Sequence, residues 1–333
     1  MKIFKFLALA LILSPVNNAL ADKNDRTEPK KVYEFSYATE IQTPAAGEGP
    51  VDVFIPLAKT DDHQEVISKK IEANISGEVK TEAKNGNLFW HGHLDKSDGQ
   101  PIKVSVNYSI VRYDYTKNIK NVQLPKKYSA EESKELATYL QADKLVPVSG
   151  ELVEKILKDI KFTDASQVSQ VRAIYDYVVD TMEYKKVGTG WGTGSTEWAC
   201  SQKYGNCTDF HALFISLVRA KGIPAKFGIG FSIPTDKPEG DIAGYHCWAE
   251  FYLPKIGWVP VDASEAKKHP EMKELLFGSH PYDRVQFTTG RDLVLVPELA
   301  TRPLNFLVYP YAEVKGVALA KDKFKNTFKY KTN

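Results

Sequence analysis

The hydrophobic period of the chain changes near residue 120, and this change most constrains its fold. From residue 30 to about 120, apolar residues alternate with polar ones, most clearly at Ile102, Val104, Val106, Tyr108 and Ile110. A period of two buries one face of each strand and leaves the other wet, as in an antiparallel sandwich. After residue 129 helical spacing takes over, and strands return later. Helices followed by an antiparallel sheet predict an α+β fold.

Start and stop signals predict several helices after residue 120. Ser129 and Glu132 have the spacing of a capping box, in which each side chain bonds the other residue's backbone. The predicted helices begin near residue 129 and cover residues 151–160, 166–182 and 207–222. The predicted strands that follow cover residues 225–231, 245–253, 258–261, 284–296 and 304–309.

Residues 1–21 have the pattern of a secretory signal peptide. Lys2 and Lys5 precede an apolar stretch, and Ala19 and Ala21 form a small-residue cleavage site. We therefore expect an exported protein, periplasmic or secreted, that is cleaved near Ala21. The remainder is predicted to divide into a β-sandwich domain, residues 22–125, and an α+β domain, residues 126–333, with a C-terminal β extension.

Composition argues against two classes of function. The 333 residues are 26% charged and 43% hydrophobic, as in a soluble globular protein. The net charge is +2, and loss of residues 1–21 removes two lysines and no acid, so a neutral chain without a basic run remains. This argues against nucleic-acid binding. No later apolar run is long enough to cross a membrane, and we expect no cofactor. The sequence leaves the oligomeric state open.

Cys207 stands at a predicted helix start, directly after Gly205 and Asn206. Asn206 is expected to cap this helix, because an asparagine side chain accepts the unpaired backbone N–H groups of the first turn. These N–H groups and the helix dipole favour the thiolate over the thiol. The backbone N–H of Cys207 is also placed to help bind an oxyanion. Cys207 is therefore the candidate nucleophile.

His246 and Asp262 follow in the order expected of a base and its orienting acid. Strand alternation puts His246, Trp248 and Glu250 on one face and Cys247 on the other. If the face of Cys247 packs on the helix, we expect His246 to point away from the thiol. Asp262 is expected to hold the imidazole tautomer and stabilise its cation. The alternatives are a half-buried strand histidine and an ordinary turn aspartate.

Taken together, these motifs resemble those of the transglutaminase-like superfamily, whose members share a papain-like Cys-His-Asp core. The resemblance runs from about residue 168 to residue 263 and rests on Gly205-Asn206-Cys207, Tyr245-His246-Cys247-Trp248-Ala249-Glu250 and Gly257-Trp258-Val259-Pro260-Val261-Asp262. It implies a nucleophile helix packed on an antiparallel sheet, preceded by the sandwich domain often attached to exported bacterial members. Members cross-link glutamine to amines, cleave peptides, deglycosylate or have lost activity. We expect hydrolysis of a peptide or protein substrate, since an exported protein meets abundant water and few concentrated amines.

Other residues are candidates for substrate contacts. The family completes its oxyanion hole with an upstream side chain, and Gln202, shortly before Cys207, is the candidate. Trp191, Trp198 and Tyr204 are rivals for that role. The same three residues and Trp248 are candidates to line the substrate cleft. The glycine-rich run at residues 188–194 lacks the Gly-Lys-Ser/Thr ending of a phosphate loop. It is either a flexible linker or a mobile rim of the cleft.

Several alternatives stay open at the candidate site. His211, one helical turn after Cys207, competes with His246 as the base. Cys200, Cys207 and His211, together with His246 or Cys247, offer zinc ligands, but no Cys-x-x-Cys pair is present and we expect no metal. Cys200 and Cys247 either form a disulfide or remain thiols, and the odd number of cysteines leaves at least one free.

Two further classes of function compete with the hydrolase. One is a protein-glutamine transglutaminase, and the other is an inactive domain that binds a partner without turnover. The presence of all three of Cys207, His246 and Asp262 argues against the inactive domain. His91 and His93, on one face of a predicted strand, are interpreted as a wet strand end.

Overall fold

The computed structural model describes residues 27–120, 122, 124–125, 127–295 and 303–332. The predicted signal peptide, residues 1–21, lies outside these ranges. The strands are β1 (Thr27–Ile41), β2 (Val51–Leu57), β3 (Gln64–Ala73), β4 (Gly77–Thr81), β5 (Leu88–Leu94), β6 (Ile102–Thr116), β7 (Glu183–Tyr184), β8 (Tyr204–Gly205), β9 (Ala225–Ser232), β10 (Glu239–Asp241), β11 (His246–Leu253), β12 (Gly257–Val261), β13 (Ser279–His280), β14 (Arg284–Thr289), β15 (Tyr311–Val314), β16 (Val317–Ala318) and β17 (Phe324–Thr332). The helices are α1 (Ala130–Glu135), α2 (Glu151–Asp159), α3 (Gln167–Thr181), α4 (Thr196–Gln202), α5 (Cys207–Ala220) and α6 (Ala263–Lys268).

Two antiparallel sheets carry the strands of the first 120 residues. In one, β1 lies between β6 and β17, and in the other the order is β16-β15-β2-β5-β4. The alternating residues of β1 and β6 are buried on one face, as predicted from the period of two. Both sheets also contain strands from the end of the chain, since β17 pairs along β1 and β15 pairs along β2.

The apolar core is continuous between the first and second parts of the chain. The ring of Phe35 in β1 lies 5.4 Å from that of Phe231 in β9 and 5.6 Å from that of Phe287 in β14. The hydroxyl of Tyr37 donates to the carbonyl oxygen of Val308. The division into two domains between residues 125 and 126 stays a prediction. Strands from both parts of the chain share sheets, and their side chains are in contact.

Helix α5 is the central element of the second part. Its residues from Cys207 to Arg219 are all buried. Because five of them are polar or charged, these side chains need hydrogen-bond partners inside the protein. It packs against α3, α4, β9 and β11. The antiparallel sheet β12-β11-β9-β14 lies against it, so the predicted α+β fold is confirmed.

Some predicted elements are wrong in extent. The predicted strand at 284–296 ends at Thr289, and no strand covers 304–309. Leu293 and Leu304 instead form a single bridge and pack with Phe54 and Phe89, so their apolar pattern fills a small cluster rather than a ladder. Helices α4 and α6 were not predicted. None of the helices in the described ranges is long and apolar enough to span a membrane.

Candidate active site

The start of α5 is built as the sequence predicts. Asn206 has extended backbone angles, and its side-chain oxygen accepts the backbone N–H of Thr208 at 2.9 Å. Asp209 completes a capping box by accepting the N–H of Asn206 at 3.0 Å. Gly205 is required here, since a Cβ at this position would lie 2.3 Å from Oδ2 of Asp209. The cap holds Cys207 as the first helical residue, where its N–H has no partner within the helix.

Asp209 also fixes the glycine-rich loop at residues 188–194. Its carboxylate accepts the backbone N–H of Gly192 at 2.6 Å and that of Gly194 at 2.9 Å. From the other side, the Arg291 guanidinium donates to the carbonyl oxygens of Gly194 and Thr193. These hydrogen bonds tie the loop to the nucleophile helix, which argues against a flexible linker. That the loop is a mobile rim of the cleft stays a prediction.

Strand β11 presents two successive side chains to the start of α5. The face of Cys247 packs on the helix, with its Sγ 3.8 Å from Thr208 Oγ1 and from His211 Nδ1. The inference that His246 would then point away is wrong, because Cys207 and His246 lie close enough for each to shift the pKa of the other. His246 is the first residue of β11, and Cys207 is the first residue of α5.

Asp262 has two structural roles at once. Its Oδ2 lies 2.6 Å from His246 Nε2, and its Oδ1 accepts the backbone N–H of Glu265 at 2.9 Å as the N-cap of α6. Asp262 therefore makes both the contact expected of an orienting acid and the contact expected of a turn aspartate. Arg284 of β14 donates to the same Oδ2 at 2.9 Å, a partner that the sequence did not reveal.

The thiol and the imidazole have the pKa values of an ion pair. Burial raises the pKa of Cys207, but hydrogen bonds from Cys247 and His246 and the positive charge of His246 outweigh it, so the pKa falls well below its ordinary value. Burial lowers the pKa of His246, yet the charge and hydrogen bond of Asp262 and contact with Cys207 raise it to about 10. Thiolate and imidazolium are therefore the stable forms near neutral pH.

The carboxyl of Asp262 stays ionised at the centre of this arrangement. Burial raises its pKa, but the charge and hydrogen bond of His246 and the charge of Arg284 bring the pKa well below the usual range. Its burial is complete, with 0% of the residue exposed. A buried carboxylate fixed by the Arg284 guanidinium, the backbone N–H of Glu265 and the hydroxyl of Ser264 is suited to orient His246 without accepting its proton.

His211 has a different and fixed role. The backbone N–H of Ala263 donates to its Nε2 at 3.2 Å, so that nitrogen has a lone pair and the proton is on Nδ1. Nδ1 in turn donates to the carbonyl oxygen of Cys207 at 2.8 Å. Burial lowers the pKa of His211. This neutral tautomer joins α5 to α6, and it has no free nitrogen with which to deprotonate the thiol.

Three tyrosines that the sequence analysis missed lie near the thiol. After burial, the charge of Cys207 is among the causes that raise the pKa values of Tyr184, Tyr245 and Tyr309. The hydroxyl of Tyr245 accepts from Asn206 Nδ2 at 2.9 Å. Tyr245 directly precedes His246, and that position was the one available signal. Cys207 itself is only 2% exposed.

The predicted contact residues have different surroundings. Trp191 is half-buried and donates from Nε1 to Gly188, while Nε1 of Trp198 is buried without a partner in the described part of the chain. Trp198 meets Tyr204 edge-on at 5.7 Å. Gln202 is exposed at the end of α4, with its side chain near Ser201. Trp198 is therefore a stronger candidate than Gln202 for a free donor.

Trp248 is a buried support and not an open cleft wall. It is 2% exposed, and its ring lies 6.1 Å from that of His246 and 5.6 Å, edge-on, from that of His280. The contact of Trp248 with a substrate stays a prediction, and the burial of its ring argues against it. The packing instead fixes the side of β11 on which His246 lies.

The predicted alternatives of zinc and disulfide have separate outcomes. Cys200, Cys207 and Cys247 are all free thiols. Within the described ranges no three-ligand group includes Cys200, whereas His246, Asp262 and Glu265 could together hold an ion. Arg284 already places a permanent cation on Asp262, which opposes a second one there. Hydrogen bonding and charge therefore favour the thiolate–imidazolium arrangement at this site.

Comparisons with known proteins bear on the family and the fold of the chain. Residues 154–263 match the family model of the transglutaminase-like superfamily. An uncharacterized protein of Haemophilus influenzae is 28% identical over 352 residues, which cover 94% of this chain and 94% of that protein. A solved protein of Cytophaga hutchinsonii, described as a "Putative Cysteine Protease", has a TM-score of 0.59 at 16% identity and covers 92% of this chain and 99% of its own. The periplasmic domain of TgpA from Pseudomonas aeruginosa has a TM-score of 0.35 at 13% identity, covering 76% and 93%. The Cytophaga structure shows that the two chains share a fold.

Proposed function

We propose that the chain is a cysteine-dependent acyl-transfer enzyme of the transglutaminase-like superfamily, whose family model matches residues 154–263. It acts on peptide or carboxamide bonds through a thioester intermediate. Among such enzymes, we expect a peptidase or amidase. The observation that carries this proposal is the arrangement of Cys207, His246 and Asp262, in which the pKa of the thiol is lowered and that of the imidazole is raised.

The first half of the reaction forms an acyl-enzyme. The Cys207 thiolate attacks the carbonyl carbon, and the new S–C bond leaves a negative oxygen that the backbone N–H of Cys207 stabilises. The C–N bond then breaks as His246 gives its proton to the leaving amine. Asp262 keeps the ring oriented through Nε2, so that Nδ1 serves the reacting atoms.

The second half returns the enzyme to its starting state. Neutral His246 takes a proton from water, and the water oxygen bonds to the acyl carbon. The S–C bond breaks, the carboxylic acid leaves, and Cys207 and His246 are again thiolate and imidazolium. If an amine replaces water, the same steps make a new amide, which is the transglutaminase alternative.

Two side chains remain candidates to complete the oxyanion site. Trp198 has an indole N–H that is buried and not engaged by other described residues. Gln202 has an amide, but its exposed position at the end of α4 makes it the weaker choice. Loss of the Trp198 N–H, in Trp198→Phe, is expected to slow turnover more than Gln202→Ala does.

The burial of Cys207 favours a second candidate function. A thiol that is 2% exposed fits a domain that binds a partner without turnover. We also propose that the chain is exported and works on a peptide or protein substrate outside the cytoplasm. Support for export comes from the sequence pattern of residues 1–21.

The first test is the rate of iodoacetamide alkylation against pH, with mass spectrometry to separate the cysteines. Cys200 is the internal reference, since burial raises its pKa to about 12. We expect Cys207 to react well below the ordinary thiol pKa of about 8.5, and Cys200 not to. Alkylation of the denatured protein gives the unperturbed pH profile of each thiol. Restricted access to a buried thiol lowers the alkylation rate at every pH but does not move the midpoint of the profile.

A peptide screen then distinguishes the reactions. We expect new carboxyl termini from peptides without any added amine. Ammonia released from a glutamine peptide only when an amine is supplied would identify a transglutaminase instead. A Cys207 profile identical to that of the denatured chain would reject the nucleophile and favour the binding domain.

A further inference from the structure

Asp52, His91 and His93 form a cluster on the sheet that contains β2, β5 and β15. The antiparallel register puts Asp52 opposite His93, and the pleat keeps His91 on the same face. Oδ1 of Asp52 lies 2.9 Å from His91 Nε2 and 2.8 Å from His93 Nδ1. The interpretation as a wet strand end is wrong for His91, which is 6% exposed and lies against the ring of Phe54.

Both histidine rings are held in place by groups outside the cluster. The ring of His91 stacks on Phe54, with centroids 5.0 Å apart and planes at 26°. Nε2 of His93 lies 3.3 Å from Oδ1 of Asp95, while its Nδ1 faces Asp52. Histidines that bind metals commonly donate their second N–H to a carboxylate, which fixes the tautomer and raises ligand basicity. His93 has this arrangement.

Carboxyl groups outnumber the imidazoles around the cluster. Glu313 of β15 lies opposite Asp52 in the register and is 0% exposed. With Asp52 and Asp95 it gives three carboxyl groups to two histidines. The charge of Lys80 also acts on His91, so the proposal rests on the geometry of the three side chains.

We propose that Asp52, His91 and His93 bind a divalent transition-metal ion, for which Zn²⁺ is the reference. Their ligand atoms all lie within 4.8 Å of one another. Two imidazoles and one carboxylate favour zinc and its neighbours over Ca²⁺ and Mg²⁺, which prefer oxygen ligands. Ligands at about 2.0–2.1 Å from a tetrahedral ion are about 3.3 Å apart. The Asp52 oxygen therefore needs to move away from each histidine nitrogen by roughly half an ångström.

The metal site does not depend on the proposed function. It belongs to the sheet β16-β15-β2-β5-β4, whereas His246 belongs to β12-β11-β9-β14. The two sites have no residue in common. An ion bound to Asp52, His91 and His93 would join β2 to β5 through side chains and stabilise the folded state over the unfolded chain.

The test uses the whole purified chain after removal of metals with a chelator. Isothermal titration with Zn²⁺ is expected to show one equivalent bound, accompanied by a rise in Tm. His93→Ala is the main variant, since its side chain is 40% exposed and its loss should leave the fold intact. We expect it to weaken binding at least ~10-fold and to abolish the rise in Tm. Asp52→Asn is the second ligand variant, and circular dichroism checks its folding.

Two histidine controls locate the ion. His269→Ala removes a histidine that is half exposed and outside the cluster, and binding should be unchanged. His246→Ala removes a ligand from the group with Asp262 and Glu265, and binding should also persist. No binding by the unmodified chain, or equal binding after His93→Ala, would overturn the proposal. Loss of binding only in His246→Ala would assign the ion to the other group.

Discussion

Two buried histidine–aspartate pairs in this protein have similar contacts and different chemistry. His246 and Asp262 are 2.6 Å apart, and His91 and Asp52 are 2.9 Å apart. In all four residues no more than 6% of the surface is exposed. Yet the pKa of His246 is raised to about 10, whereas that of His91 is lowered. A carboxylate partner does not by itself determine the charge of a buried imidazole.

The groups around each pair account for the difference. Around Asp262, the Arg284 guanidinium and the Glu265 N–H hold the carboxylate, and the Cys207 thiolate adds a second negative charge beside His246. Burial has the largest effect on the pKa of His91, and the Asp52 carboxylate is shared between His91 and His93. The first pair is therefore suited to hold a proton, and the second to offer a lone pair.

The largest expected effect separates the two pairs by function. His246→Ala should reduce turnover by at least ~10³-fold and slow Cys207 alkylation at pH 6 by ~100-fold, because the thiol loses its cation. His93→Ala should leave both rates within about twofold. Turnover is measured on a peptide found in the screen, and alkylation by mass spectrometry. Equal losses in the two variants would show that the pairs are not functionally distinct.

A smaller loss is expected from Asp262→Asn. Asparagine retains an N-cap acceptor for α6, so the variant removes the charge while the cap is kept. The pKa of His246 should fall, and turnover should drop by ~10²–10⁴-fold. Asp52→Asn is the matched control and should leave turnover unchanged. If Asp262→Asn keeps full activity, the carboxylate does not orient the base.

The pH dependence sharpens the same comparison. Activity requires deprotonated Cys207 and protonated His246, so kcat/KM should fall below the lowered pKa of the thiol. On the alkaline side it should fall above about 10, where His246 loses its proton. Each pH unit beyond a limb costs about tenfold. In Asp262→Asn the alkaline limb should move to lower pH, and in His93→Ala it should stay in place.

The smallest expected effect concerns the glycine-rich loop at residues 188–194, which is tied to the start of α5. Asp209→Asn removes the charge that accepts N–H groups from Gly192, Gly194 and Asn206. We expect a loss of about 1–3 kcal/mol in the free energy of unfolding in urea, and faster proteolysis within residues 188–194. Asp241→Asn, on an exposed residue of β10, is the control. Unchanged proteolysis would mean that Arg291 alone holds the loop.

Much of the candidate site could be predicted because its signals are local. Asn206 caps α5 through hydrogen bonds within a few residues, and the pattern around Ser129 specified α1 in the same way. The order of Cys207, His246 and Asp262 could be recognised by resemblance. The periods of two and of 3.6 gave the α+β class, since they follow from backbone geometry alone.

The tertiary structure decided the groups that come from distant parts of the chain. Arg284 meets Asp262 only because β14 joins the sheet of β11 through β9. The pairing of β17 with β1, and of Asp52 with His93, likewise depends on which strands lie side by side and in which register. A side chain's neighbours along the sequence determine helix caps and strand faces. Its charge, tautomer and partners depend on neighbours across the fold, which no local pattern specifies.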